Sequence, residues 1–330
     1  MDQILQIGNE FILWLQGLGG WLTPIMQFFT FLGNEEFYLL IAPAIYWCLD
    51  AGLGLRLGLF LMANNSLKDV FKLLLNGPRP YWVEPQVKGL VAQSSFGVPS
   101  GHSQDAVVAW GTLAHHLRKG WGWAAAIALM LLIGISRMYL GVHFPHDVLL
   151  GWLIGICLLL TFMRLEKPVT TWFKTLKPGG QILASFLTAL CMIFLGILAQ
   201  MTLADFQLPA EWVANAAAAF PDEPPIAPQA ISGIISSAGA FFGLAGGASW
   251  LATKGGFEVK GGWQTRLGRY LLGLVGVIVL WYGLGAVFPR GESLLPFVLR
   301  FLRYGLVGVW ISAVAPFLFI RLRLASARQP

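Results

Sequence analysis

The chain has 330 residues, 56% of them hydrophobic and only 12% charged, with a mean hydropathy of +0.67. Soluble domains carry roughly 25% charged residues, so this composition cannot cover a water-exposed surface and excludes a soluble enzyme. The formal charge of +6 does not imply nucleic acid, because the basic residues fall into separate short loops rather than one stripe.

A spanning helix needs about 20 mostly apolar residues. The first apolar stretch, 11–32, is broken by Gly17, Gly19, Gly20 and Pro24 and reads as an interfacial helix followed by a partly inserted one, with a tenth full span as the alternative. Candidate spans then follow near 35–49, 52–75, 101–117, 121–140, 143–163, 180–200, 229–252, 267–288 and 296–320. Trp21, Trp47, Trp82, Trp121, Trp123, Trp172 and Trp263 sit near the ends of apolar runs, as expected of rings at headgroup level. Cys48, Cys157 and Cys191 lie inside apolar runs without metal-ligand spacing and read as packing residues. Gly54/Gly58 and Gly151/Gly155 mark close helix approaches.

Loop charge orients these spans. Arg118, Lys119, Arg164, Lys167, Lys174, Lys177, Lys254, Lys260, Arg266, Arg269, Arg321, Arg323 and Arg328 fall on one side. The segment 201–228 on the other side contains Asp205, Glu211, Asp222 and Glu223 but no Lys or Arg. The basic loops, and with them the C-terminus, are therefore expected in the cytoplasm. The expected architecture is an all-α polytopic membrane protein: an N-terminal segment 1–34, a polar-rich core 35–177, and an extension of four more spans over 178–330.

Three polar clusters punctuate the core. The first runs from Lys72 to Arg79-Pro80, with Lys68 and Asp69 a turn earlier as structural support. Cations at a bilayer edge are costly unless they bind something, so anion binding competes here with snorkelling to the interface. The second is Pro99-Ser100-Gly101-His102, where Ser100 suits an N-cap and Gly101 permits close approach to a helix N-terminus. Alone it is no more than a cap; His102 adds a group able to transfer a proton, and Asp105 follows as a supporting partner. The third contains Ser136-Arg137, His143, His146 and Asp147. His143 and Asp147 share a helical face, so the carboxylate can orient the imidazole, although a polar helix pair would have the same spacing. His146 reads as support. All three clusters fall at span ends on the side opposite the basic loops. No Asp/Glu-rich ligand set accompanies them, which favours phosphate held by cations and amides over a metal hydrolase.

In residue type and spacing these clusters resemble the three signatures of the type 2 phosphatidic acid phosphatase superfamily. The match includes six residues between Lys72 and Arg79, five between Arg137 and His143, and three between His143 and Asp147. The runs 78–82 and 139–146 also resemble the glucose-6-phosphatase-like branch. The resemblance covers roughly 21–165 and leaves the last four spans unexplained. It implies that Lys72, Arg79 and Arg137 clamp the phosphoryl group with Ser100 and the Gly101 amide. His143, oriented by Asp147, would form a phosphohistidine, while His102 protonates the leaving group and then activates water. No metal or cofactor is implied.

The expected substrate is a lipid phosphate or diphosphate monoester, with the bilayer as the other partner and the site on the periplasmic or exterior face of a bacterial inner membrane. A soluble sugar phosphate, phosphoryl transfer to another acceptor, and an inactive transporter or scaffold are the alternatives.

Overall fold

The computed structural model describes residues 2–327, so Arg328 of the basic tail lies outside the described residues. Among them the chain is helical and forms no strand. The first apolar stretch breaks at its glycines into α1 (Asp2–Gly17), a 3-10 turn (Gly20–Leu22) and α2 (Thr23–Phe31). Pro24 falls in the first turn of α2, where its missing N–H removes no helical bond.

The remaining helices are α3 (Glu35–Cys48), α4 (Ala51–Leu75), the short α5 (Pro80–Val83), α6 (Gly101–Leu117), α7 (Gly120–Tyr139), α8 (Pro145–Thr175), α9 (Pro178–Met201), α10 (Ala210–Ala219), α11 (Ser232–Ala252), α12 (Trp263–Val287) and α13 (Leu294–Arg321). Six of them, α7, α8, α9, α11, α12 and α13, are long and apolar enough to cross a membrane. The last four form the C-terminal set that the hydropathy pattern predicts. The pattern also predicts spans at α3, α4 and α6, which are not among the six. With 14 and 17 residues, α3 and α6 are shorter than any of those six, and the 25 residues of α4 include Arg56, Lys68, Asp69 and Lys72. The hydropathy pattern does not predict α10, an alanine-rich helix within the connector 201–228.

The outward face of α9 carries Leu183, Leu187, Leu190 and Phe194, all exposed. An apolar helical face of this kind belongs against lipid, and the chain is an integral membrane protein.

The helices gather into two compact units. One consists of Met1–Phe37, Lys68–Thr161 and Ile197–Ala230; the other of Tyr38–Leu67, Phe162–Gly196 and Ile231–Pro330. In the first unit α8 packs closely on α6. A Cβ at Gly151 would collide with the carbonyl of Ser100, and one at Gly155 would come within 2.8 Å of Val107. The turn between α7 and α8 depends on Gly141, whose φ of +72° suits glycine and whose missing side chain admits the carbonyl of Lys88.

In the second unit, α11 meets α13 backbone to backbone at Gly243 and Gly305. α12 and α13 each contain a five-residue π-helical segment, at 279–283 and 310–314. The carbonyls freed in the second segment find other donors: Trp47 Nε1 reaches Ile311 O at 2.8 Å, and Tyr46 Oη reaches Ser312 O at 2.9 Å.

Candidate active site

Every candidate residue from the three clusters falls in the first unit. α4 carries Lys72 in its last turn and ends at Leu75. Arg79 then lies in extended backbone just before α5, with φ of −96° and ψ of 153°. Ser100 precedes the first residue of α6, Arg137 ends α7, and His143 lies in the turn before α8, whose first turn contains Asp147.

Arg79 is fully buried, and all five of its N–H donors can be accounted for. Nε donates to Ser95 O at 2.7 Å, and Nη2 to Ser95 Oγ and Phe96 O, both at 3.1 Å. Nη1 donates to Val142 O at 2.9 Å and faces His143 Nε2 at 3.3 Å. Burial pushes the guanidinium down to about 10, which leaves it cationic at neutral pH. Four donors thus tie the loop before α6 to the turn before α8, and the fifth addresses the His143 ring.

That fifth contact fixes the tautomer of His143. A guanidinium has no acceptor, so Nε2 accepts and the ring proton resides on Nδ1. Nδ1 lies 3.4 Å from Asp147 Oδ2, which also accepts the Phe144 N–H at 2.8 Å. Burial, followed by the charges of Arg79, Arg137 and Lys72, holds His143 well below the usual imidazole range. The ring is therefore neutral, with its lone pair directed at a cation cluster. His146 lies beside this pair: its Nε2 is 3.2 Å from Asp147 Oδ1, and its ring stacks on Phe144 at 5.2 Å. The carboxylate of Asp147 is thus located between two imidazoles, and its backbone carbonyl accepts from Ser100 N at 3.0 Å.

Arg137 differs from Arg79. It is 1% exposed, its Nη1 donates to Thr30 Oγ1, and Nε and Nη2 have no hydrogen-bond partner among the described residues. Leaving buried donors unmade costs about 1–3 kcal/mol, more for a charged group. Such an arrangement suits a residue whose partner is a ligand.

Thr30, in the last turn of α2, opens a polar stretch that the three motifs did not reveal. Four residues on, Asn34 Oδ1 accepts from His102 Nε2 at 2.7 Å. The next residue, Glu35, accepts from Lys68 Nζ at 3.2 Å, and Lys68 also reaches Asp105 at 3.0 Å. The end of α2, the turn after it and the first residue of α3 therefore supply three residues of the polar core, Thr30, Asn34 and Glu35. Ser95 is the other residue the motifs missed: besides its bonds to Arg79, it accepts from Lys72 Nζ at 2.8 Å. The apolar and polar side chains of these segments gave no periodic signal, and only the fold brings them to the site.

Two details differ from the sequence reading. Ser100 occupies the N-cap position but makes no side-chain capping bond; its hydroxyl instead accepts from Ser103 Oγ at 2.9 Å. The space left by the missing side chain of Gly101 is taken by Lys68, whose Cδ would lie 2.6 Å from an added Cβ.

Residues 53–171 match the family model described as the PAP2 superfamily, and residues 235–327 match the PAP2 superfamily phosphatase transmembrane extension. Phosphatidylglycerophosphatase B of Bacillus subtilis (strain 168) is 32% identical over 154 residues, covering 42% of this chain and 72% of that protein. The chain belongs to the PAP2 superfamily. The match to the PAP2 model contains all ten candidate residues, and the extension model covers α12 and α13 and most of α11. A longer PAP2 alignment joins the chain to glucose-6-phosphatase 3 of Bos taurus, at 27% identity over 251 residues, 68% of this chain and 69% of that one. Other relatives are longer proteins, and the chain covers 42% of one and 38% of another. Among solved structures, a transmembrane PAP2-type phosphatidylglycerolphosphate phosphatase from Bacillus subtilis is 29% identical. It covers 50% of this chain and 87% of its own, with a TM-score of 0.43.

Proposed function

We propose that this PAP2 protein hydrolyses a lipid phosphate or diphosphate monoester on the non-cytoplasmic face of the membrane, through a phosphohistidine on His143. The observation that carries this reading is the pairing of two buried arginines: Arg137 with two unused donor nitrogens, and Arg79 with one N–H on the His143 lone pair. The phosphoryl oxygens would take the Arg137 donors and draw the Arg79 N–H away from Nε2. Nε2 then attacks phosphorus while the bond to the leaving oxygen breaks, and Asp147 stabilises the positive charge that develops on the ring. His102, charged by a proton taken up together with the phosphoryl dianion, delivers that proton to the leaving oxygen. It then removes a proton from the water that attacks the phosphohistidine, which releases phosphate and restores neutral His143. Lys72, beside Ser95, adds positive charge for the transferred group.

The lipid assignment follows from the setting. A phosphate bound at the helix ends would lie near headgroup depth, with its chain still in the bilayer. Extracting that chain into water costs roughly 0.8 kcal/mol per CH₂. The similarity to phosphatidylglycerophosphatase B supports the same choice. A second reading, a soluble sugar phosphate, is favoured by the alignment with glucose-6-phosphatase 3, which extends beyond the PAP2 match.

A phosphate-release panel on the purified protein separates them: long-chain lipid phosphates, short-chain analogues with the same headgroup, and glucose 6-phosphate. We expect the highest kcat/KM for the long-chain lipids. An equal or higher kcat/KM for the sugar phosphate would reject the lipid assignment. Rapid quench with ³²P-labelled substrate is expected to leave label on His143 and none in the His143→Ala variant; label on His102 instead would reverse the two roles.

A further inference from the structure

The second unit contains a cavity of about 280 Å³ between the end of α12 and the start of α13, lined by Arg290, Arg300 and Arg303 with Phe288 and Pro296. Arg290 is in the connector. Arg300 and Arg303 lie three residues apart on one face of α13, roughly 9 and 14 Å along the helix from Leu294. None of the three forms an ion pair among the described residues. Glu292, the one carboxylate in α11, α12, α13 and the 288–293 connector, is exposed.

Their other contacts are few. Arg300 Nη1 donates to Ser236 Oγ at 3.3 Å. Arg303 Nη2 donates to Tyr304 Oη at 3.1 Å, and its guanidinium lies over that ring at 4.8 Å. Its Nε is buried without a hydrogen-bond partner among the described residues. The backbone of α12 makes room for this side chain: a Cβ at Gly285 would press on Arg303 Nη1.

Two arginines inside a spanning helix are costly unless an anion meets them. A guanidinium fork fits phosphate oxygens in two-point contact, and the Phe288 and Pro296 walls fit the less polar part of a headgroup. We propose that this cavity is a second phosphoryl-binding site, separate in its residues from the catalytic cluster, that takes an anionic phosphate from a lipid headgroup or from solution. Arg300 and Arg303 grip the phosphoryl oxygens, and Arg290 closes the cavity from the connector. The inference stands whether or not the catalytic reading holds.

The test compares two full-length proteins by native mass spectrometry. One carries His143→Ala, to prevent turnover; the other adds Arg300→Gln and Arg303→Gln. Each is titrated with phosphatidate, diacylglycerol and inorganic phosphate. We expect the first protein to retain one more tightly bound phosphatidate than the second, and the affinity of that site to fall at least about tenfold in the second, as for the loss of a charge-assisted contact. Diacylglycerol should leave no such difference. Displacement of the extra phosphatidate by inorganic phosphate would identify the phosphate group alone as the ligand, and persistence would identify the lipid headgroup. Gly285→Leu, which keeps all three arginines but crowds Arg303, should cause the same loss if the protein remains monodisperse. Equal phosphatidate stoichiometry and affinity in the arginine-replaced and parent proteins would overturn the proposal.

Discussion

At the level of single residues, two arginines in the same cluster have different tasks. Arg79 has spent four N–H donors on the carbonyls and hydroxyl that shape the loop, whereas Arg137 keeps two whole nitrogens, Nε and Nη2, in reserve. Arg137→Lys should therefore reduce kcat/KM by about 10²-fold or more while the thermal unfolding midpoint in detergent stays within about 2 °C, because few native bonds are lost. Arg79→Lys should lower both, since an ammonium cannot replace four donors directed at fixed carbonyls. Ser95→Ala removes the hydroxyl shared by Lys72 and Arg79. It should cost about 1 kcal/mol of stability and raise KM more than it lowers kcat. Asn34 accepts from the His102 ring, and if His102 is the proton carrier Asn34 positions it. Asn34→Ala should reduce kcat with little change in KM and move the kcat pH profile, whereas a purely structural role would lower the unfolding midpoint and leave the profile in place.

The motif residues themselves were legible in the sequence, because their spacing puts each at a helix end. Ser95, Thr30 and Asn34 were not. They occupy a loop, the end of α2 and the turn after it, where their residue types are ordinary, and their importance depends on which buried donors the fold places against them. The helices follow a similar rule. Long uniform runs such as α9 were predicted within a few residues, while α10 was hidden because ten residues of alanine-rich sequence beside acidic turns look like a connector. α3 and α6 also fall where the apolar runs 35–49 and 101–117 predict helices. The α7–α8 turn gives a test at this level. Gly141→Ala adds a side chain at φ of +72° against Lys88 O and should cost about 1–2 kcal/mol or more, with activity lost as the turn carrying His143 shifts. Ala at Gly180, which has only ordinary contacts near its Cβ, serves as the control.

Across the whole chain, the contact pattern was the least legible property. α3, α4, α8 and α9 each contribute to both compact units, and no change of composition marks where they pass from one to the other. Sidedness is accessible by experiment. With the catalytic cluster on the non-cytoplasmic face, single cysteines at 210–219 in a cysteine-free background should react with a membrane-impermeant thiol reagent applied from outside. Cysteines at 118–119 and 174–177 should react only after permeabilisation. Outside labelling at 174–177 would reverse the proposed orientation and the location of the site with it.

The contact between Arg79 and His143 bears on what the protein leaves alone. A bilayer surrounds it with carboxylic esters, each an electrophile that a bare imidazole could in principle acylate. In the resting site the nucleophilic lone pair of His143 is occupied by a cationic N–H. A neutral acyl ester offers that N–H no charge for which to exchange its partner, whereas a phosphoryl dianion does. With His143 as nucleophile, the group that unmasks it would be the one it attacks, and the glycerol esters of the surrounding membrane are expected to pass the site untouched.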